Sequence, residues 1–187
     1  MNTKTRNLTA TALMVAITLI LGLTVGFIPI PIGIFEITLM CVPVIIGTVI
    51  LGWKQGLILG FTFGATSLFK GLTGPLASLI SQYPFVLIPS IFIPRLLIPL
   101  AVWLMYRLTQ QLPVVVGLGI TSAVGSLTNT VFFLGMIYLL GGYKLASILN
   151  LVISVTIFLN GMVEMLIALV ICVPIIIAVR KVYKKDK

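Results

Sequence analysis

Two side chains of opposite charge interrupt the apolar segments of this sequence and are the first candidates for chemistry. Arg95 lies in one apolar run, and Glu164 lies in another further along the chain. An ionisable group inside a hydrophobic span is costly, so such groups line a ligand pathway or neutralise one another. A guanidinium can hold a carboxylate through two parallel hydrogen bonds. Arg95 is therefore a candidate anchor for an anionic ligand, with Glu164 either in the same site or serving only to neutralise it.

Amide and hydroxyl side chains are expected at similar depths. Thr128 and Asn129 belong to a polar stretch in an otherwise apolar helix, and Asn160 precedes Glu164 by four residues. Residues four apart lie on one face of a helix. An asparagine amide offers four hydrogen-bonding positions that lipid cannot satisfy. We expect these residues to share one layer with the arginine, where they either contact a ligand or bond across helices as packing groups.

Three weaker candidates lie towards the predicted outer surface. Lys70 lies near the outer end of the third apolar run, where it can add a positive charge to the site or extend towards the headgroups. Gln82 and Tyr83 lie in the following loop, where polarity is expected in any case. A hydroxyl such as that of Ser126 can bond back to its own helix, which favours a packing role for it.

These residues must be positioned by helices in a lipid bilayer. Hydrophobic residues make up 60% of the 187 residues and charged ones 8%, whereas about a quarter of an average soluble domain is charged. The composition predicts an all-α integral membrane protein. The net charge of +9 does not indicate nucleic-acid binding, because five of the basic residues cluster in the last eight positions, as at a cytoplasmic membrane flank.

The apolar runs predict a single domain with about six transmembrane helices, at residues 8–28, 37–51, 55–72, 84–106, 113–140 and 148–179, followed by a basic tail at 180–187. Pro29 and Pro31 should end the first helix in an extended segment that includes Glu36. Gly141 and Gly142 should break the chain after the fifth span. The second span is short, and it is either tilted or partly re-entrant. The positive-inside rule places both termini in the cytoplasm.

Several classes of chemistry lack the residues that they need. The chain has no histidine, and its two cysteines, Cys41 and Cys172, lie far apart in apolar surroundings, which favours inert thiols over a metal site. No GxxxxGK[ST] phosphate loop is present, and no cluster of acid–base groups is visible in the sequence. We expect no cofactor, no metal and no enzymatic activity in this chain. Binding and translocation fit the sequence better.

Small residues on the first helix suggest a surface for a partner. Ala12 and Ala16 have the small-x-x-x-small spacing that lets two helix backbones approach closely in lipid. We expect them to dock on another transmembrane subunit.

The small size, the six spans and these alanines resemble the substrate-binding subunits, or S components, of energy-coupling factor (ECF) transporters. Local sequence narrows the resemblance to the pantothenate-specific S components. The segments that carry it are Val42–Gly47 with Leu51–Gly52, Leu59–Ser67, Ile93–Arg95 and Gly125–Thr130.

The resemblance implies a vitamin bound from outside, a transmembrane scaffold subunit and two cytoplasmic ATPases as partners, and the plasma membrane of a bacterium as the location. Pantothenate would offer its carboxylate to Arg95 or Lys70, and its amide and hydroxyls to Asn129, Asn160 and Gln82. Folate, also anionic, would use similar groups. The alternative from another class is a self-contained transporter in which Glu164 carries a proton.

Overall fold

The structure is a computed structural model that describes residues 3–24, 27–29, 36–74, 77–155 and 161–185. Within these ranges the fold is a helical bundle with one short antiparallel strand pair. The elements in chain order are α1 (Thr3–Leu23), β1 (Phe27–Pro29), β2 (Glu36–Thr38), α2 (Cys41–Leu51), α3 (Trp53–Thr73), α4 (Ala77–Gln82), α5 (Pro84–Leu108), a 3₁₀ turn (Thr109–Gln111), α6 (Val114–Val155) and α7 (Gly161–Lys185).

The centre of the bundle is α2, which is apolar on all sides. A helix of this composition is stable only when other helices surround it, and residues 41–49 are all buried. Side chains from α3, α5, α6 and α7 complete the core around it. Met40, directly before α2, is also fully buried and meets Gly22 of α1. We call this group, which includes Val44, Phe63 and Ile98, the inner apolar cluster.

Glycines bring α3 and α5 into backbone contact. A Cβ on Gly60 would lie 2.5 Å from the carbonyl oxygen of Arg95, and one on Gly64 would lie 2.9 Å from the ring of Phe92. Helix association in lipid depends on such close packing, since lipid supplies no hydrophobic force between helices. The spacing of four between these glycines keeps both on one face of α3. The sequence therefore fixes how closely α3 approaches the arginine of α5.

Four described helices are long and apolar enough to cross a membrane: Thr5–Leu23, Pro84–Gln111, Val114–Gly141 and Gly161–Lys181. The apolar helix Cys41–Leu51 is shorter, and α3, with 21 residues, is not one of these four. These lengths and compositions are those of a membrane protein. The number of spans and the side on which each terminus lies stay predictions.

The chain between α1 and α2 departs from the predicted helices. Helix α1 ends at Leu23 instead of residue 28, and α2 begins at Cys41 instead of residue 37, because Phe27–Pro29 and Glu36–Thr38 form the strand pair, with Pro29 opposite Glu36. The residue before a proline disfavours helix, and a proline fits an edge strand. The expected extended segment is present at these residues. The predicted all-α fold therefore also contains one short strand pair.

The predicted break at Gly141 and Gly142 is wrong, since α6 runs through both glycines to Val155. A helical glycine costs only about 1 kcal/mol relative to alanine, and in lipid the backbone must satisfy its own hydrogen bonds. Residue 148, the predicted start of the last span, therefore belongs to α6. The last described helix runs from Gly161 to Lys185. Asn160 and residues 156–159 lie outside the described residues.

Candidate functional site

The guanidinium of Arg95 lies between two aromatic rings inside the bundle. The side chain is 8% exposed. Its Cζ lies 5.4 Å from the ring centroid of Phe63 on α3 and 5.1 Å from that of Phe133 on α6. A desolvated guanidinium over an aromatic ring gains about 2 kcal/mol, which offsets part of the cost of burying the charge. The rings hold the cation while leaving its edge for hydrogen bonds.

Pro94 explains one of those hydrogen bonds. A proline has no N–H, so Pro94 leaves the carbonyl of Ser90, four residues earlier in α5, without its helical donor. The Nη1 atom of Arg95 donates to this carbonyl at 3.5 Å. The same reasoning applies to Pro99, which leaves the carbonyl of Arg95 without a helical donor, at the point where α3 approaches through Gly60. The prolines of α5 therefore help to place the arginine.

The arginine lies between two apolar clusters. Phe63 belongs to the inner apolar cluster, while Phe133 packs against a second group near α4, formed by Ile80, Leu87, Ile91 and Ile137. We call the second group the outer apolar cluster. Because Arg95 contacts one ring from each side, its charge lies in a layer that both clusters shield from water. Electrostatic interactions in such a layer are stronger than at a surface.

Several buried polar atoms of α3, α5 and α6 have no hydrogen-bond partner within the described chain. They include Nε of Arg95, Oδ1 of Asn129, and the hydroxyl oxygens of Ser67 and Ser126. Asn129 is 5% exposed and lies one helical turn from Phe133, and Ser67 lies one turn from Phe63. Buried polar groups are nearly always satisfied, so unsatisfied ones indicate a missing partner such as a ligand or water. We call Arg95, Asn129, Ser67 and Ser126 the polar layer.

Glu164 lies in the first turn of α7 and is 4% exposed. Its carboxylate lies near enough to the guanidinium of Arg95 for the two charges to attract one another, so both predicted charges lie in the same part of the bundle. The arrangement agrees with mutual neutralisation and leaves the remaining N–H groups of Arg95 for a further anion.

The other predicted site residues lie outside the polar layer or use their polar groups differently. The hydroxyl of Thr128 donates to the carbonyl of Val124 at 2.7 Å, within its own helix. Gln82 ends α4 and is exposed, Tyr83 is 40% exposed, and Lys70 is half-buried in the last turn of α3. These last three lie at the end of the bundle capped by α4, beyond the outer apolar cluster.

Ala12 and Ala16 are exposed on the outer side of α1. The opposite side of the helix carries its buried residues, Thr11, Thr18 and Gly22, and Gly22 packs against Met40 and Thr66. Thus the two alanines of the predicted docking face are exposed on a helix that packs against α2 and α3.

Sequence reasoning missed several members of the site. The rings of Phe63 and Phe133 went unrecognised, although the second lies four residues from Asn129 on one helix face. Ser126 was expected to bond back to its helix, yet its hydroxyl has no partner within the described chain. The dipeptide Pro94–Arg95 carried a usable signal, because a proline frees the carbonyl four residues earlier.

A buried cation with unsatisfied donors and acceptors beside it is suited to binding a small anionic molecule that also carries hydroxyl or amide groups. No group of three or more His, Cys, Asp or Glu side chains that could hold a metal occurs in the part of the chain that the structure describes. The groups around Arg95 are suited to recognition by hydrogen bonds and one charge pair.

Comparison with known proteins shows the family of this chain. The sequence model of the family described as ECF transporter, substrate-specific component, matches residues 6–176. The chain is 29% identical over 181 residues to the pantothenic acid transporter PanT of Lactococcus lactis subsp. cremoris (strain MG1363). That alignment covers 91% of this chain and 89% of the Lactococcus protein.

Proposed function

The chain belongs to the substrate-specific components of ECF transporters, and we propose that the vitamin it binds is pantothenate, in the polar layer around Arg95. The observation that carries the proposal is the buried arginine whose Nε has no partner within the described residues. The similarity to a pantothenic acid transporter supports the choice of vitamin.

The chemistry of pantothenate complements the unsatisfied atoms one by one. Its carboxylate is an acceptor for the Nε and Nη groups of Arg95, in the fork geometry that a guanidinium offers. Its amide N–H and its hydroxyls are donors for Oδ1 of Asn129, and the hydroxyls of Ser67 and Ser126 can donate or accept. Its dimethyl group suits the rings and aliphatic side chains of the two apolar clusters. Asn160 stays a candidate ligand residue from the sequence.

Glu164 acts in this proposal through the arginine. Buried and electrostatically coupled to it, the carboxylate keeps the empty site from holding an uncompensated charge. When pantothenate binds, Arg95 shares its donors between two carboxylates. Lys70, Gln82 and Tyr83 lie at the α4 end, where they meet the vitamin as it enters.

We further propose that transport requires partners, as the family implies: a transmembrane scaffold subunit and two cytoplasmic ATPases. The chain docks on the scaffold through Ala12 and Ala16, which the structure leaves on the surface of α1. Small side chains there let a partner helix approach closely. The setting is the plasma membrane of a bacterium, with six spans and both termini in the cytoplasm.

The proposal is tested by the binding of labelled pantothenate to the purified chain in detergent, with unlabelled vitamins as competitors. We expect saturable binding that excess pantothenate displaces and that folate and other vitamins do not. If folate displaced the labelled pantothenate at a lower concentration than unlabelled pantothenate does, the chain would be an S component of the same family for a different vitamin. Absence of binding to a folded chain would overturn the proposed site.

A further inference from the structure

A second group of aromatic and basic side chains lies at the opposite end of α5, away from the polar layer. The rings of Trp53 at the start of α3 and Trp103 near the end of α5 lie 6.4 Å apart between centroids. The Nζ of Lys54 lies 5.9 Å from the ring of Trp53, and the Cζ of Arg107 lies 4.3 Å from that of Trp103. We call these four residues the basic–aromatic cluster.

This cluster lies at the end of the bundle that carries the basic tail. On α5, Tyr106 adjoins Arg107, and Arg180 of α7 both donates to the hydroxyl of Tyr106 and stacks at 4.8 Å from its ring. Three helices thus present cations at one level. Trp and Tyr rings at this position are typical of the boundary between hydrocarbon and headgroups.

The cluster carries two positive charges, one on α3 and one on α5. Lys54 and Arg107 are exposed, and within the described residues no carboxylate pairs with either. The chain has three acidic residues, and none lies on α3 or α5. Directly beside the cations, α5 exposes a row of leucines to the surroundings: Leu100, Leu104 and Leu108. A ligand with a negative head and an apolar tail matches both surfaces.

We propose that the basic–aromatic cluster binds the phosphodiester of an anionic phospholipid, with the phosphate between Lys54 and Arg107 and an acyl chain along the leucines of α5. A guanidinium and an ammonium are the groups that proteins use for phosphate. The two indole rings hold the cations in place and link α3 to α5. The site lies at the other end of α5 from the proposed vitamin site and does not depend on it.

The two tryptophans are the only ones in the chain, so tryptophan fluorescence reports on this site alone. Phospholipids brominated on the acyl chain quench a neighbouring indole. The protein is reconstituted in phosphatidylcholine nanodiscs that contain an increasing fraction of either brominated phosphatidylglycerol or brominated phosphatidylcholine, and the quenching of its fluorescence is measured. We expect the anionic lipid to reach half-quenching at a fraction about fivefold lower, the factor contributed by a basic residue near a membrane surface.

Lys54→Gln with Arg107→Gln should abolish this preference, while both lipids still quench. The matched control, Lys181→Gln with Lys184→Gln, removes the same charge from the basic end and should keep it. Equal quenching by the two lipids in the parent would overturn the proposal and leave an aromatic belt without headgroup selectivity. A preference for the anionic lipid that survives in the Lys54/Arg107 variant would also overturn the proposal. So would a preference that disappears in the control, because the overall positive charge, and not this cluster, would then account for the effect.

Discussion

The polar layer around Arg95 and the exposed face of α1 differ in what they bury and what they expose. The layer buries polar atoms that have no hydrogen-bond partner within the described residues, among them Nε of Arg95, between two apolar clusters. The face of Ala12 and Ala16 exposes small side chains that need no partner for the fold. Buried unsatisfied groups predict a ligand, whereas exposed small residues predict a helix from another subunit. We therefore expect that binding and transport can be lost separately.

The largest expected effect comes from enlarging the α1 face. Ala12→Leu with Ala16→Leu should reduce ATP-dependent pantothenate uptake to background in cells that contain the partner subunits, because a bulky side chain prevents close helix approach. Pantothenate binding to the purified variant should stay normal. The measurements are uptake, co-purification with the partner subunits, and binding.

The matched control places the same two leucines on exposed positions of other helices, Ala65→Leu on α3 and Ala178→Leu on α7. This control should keep its uptake. Normal uptake and co-purification in the α1 variant would contradict the docking assignment. Loss of vitamin binding there would show that α1 supports the site instead, and uptake by the chain alone, driven by a pH gradient, would favour a self-contained transporter.

The next largest effect is on stability, at Glu164. Glu164→Gln should lower the free energy of unfolding by about 3 kcal/mol, because it leaves the buried charge of Arg95 without its partner. The thermal stabilisation by saturating pantothenate should then exceed that of the parent, since the ligand carboxylate replaces the missing charge. Glu164→Asp, which keeps the charge, should be milder. A variant as stable as the parent would exclude neutralisation as the role of Glu164.

A substitution at Gly60 tests the close approach of α3 to the backbone of α5. Gly60→Ala should destabilise the protein by about 2 kcal/mol and weaken pantothenate binding, because the new Cβ meets the backbone carbonyl of Arg95, which cannot rotate away. On α6, Gly135→Ala is the control, since a Cβ there meets nothing within 4 Å. The control should be neutral or slightly stabilising in a thermal unfolding measurement. Equal behaviour of the two variants would disprove the close approach.

The smallest effect is expected at Pro94. Pro94→Ala restores the helical N–H to the carbonyl of Ser90, so Arg95 loses that carbonyl as an acceptor. Pantothenate binding should weaken by about 1 kcal/mol, close to fivefold, without loss of thermal stability. Pro89→Ala makes the same change one turn earlier and should leave binding unchanged. Equal effects of both substitutions in a binding titration would show that the prolines act on the helix as a whole.

The sequence identified the buried polar residues better than the ends of the helices. Arg95, Asn129 and Glu164 stand out because each is costly in lipid, and that cost does not depend on tertiary contacts. The rings beside the arginine could not be assigned, since a phenylalanine suits lipid and protein interior equally. The continuation of α6 through Gly141 depended on backbone hydrogen bonds that override a weak local preference. The strand pair could not be predicted, because it depends on two three-residue segments that meet in the fold and are too short to show a periodic pattern in the sequence.

The central claim is that Arg95 holds the carboxylate of pantothenate, and a comparison with pantothenol, the alcohol that lacks this group, tests it most directly. Both ligands are titrated against the parent and against Arg95→Ala. The parent should prefer pantothenate by about a hundredfold, or about 2.7 kcal/mol. Arg95→Ala should bind both equally and weakly. A parent that binds the alcohol as tightly as the acid, or a variant that keeps the preference, would contradict the account.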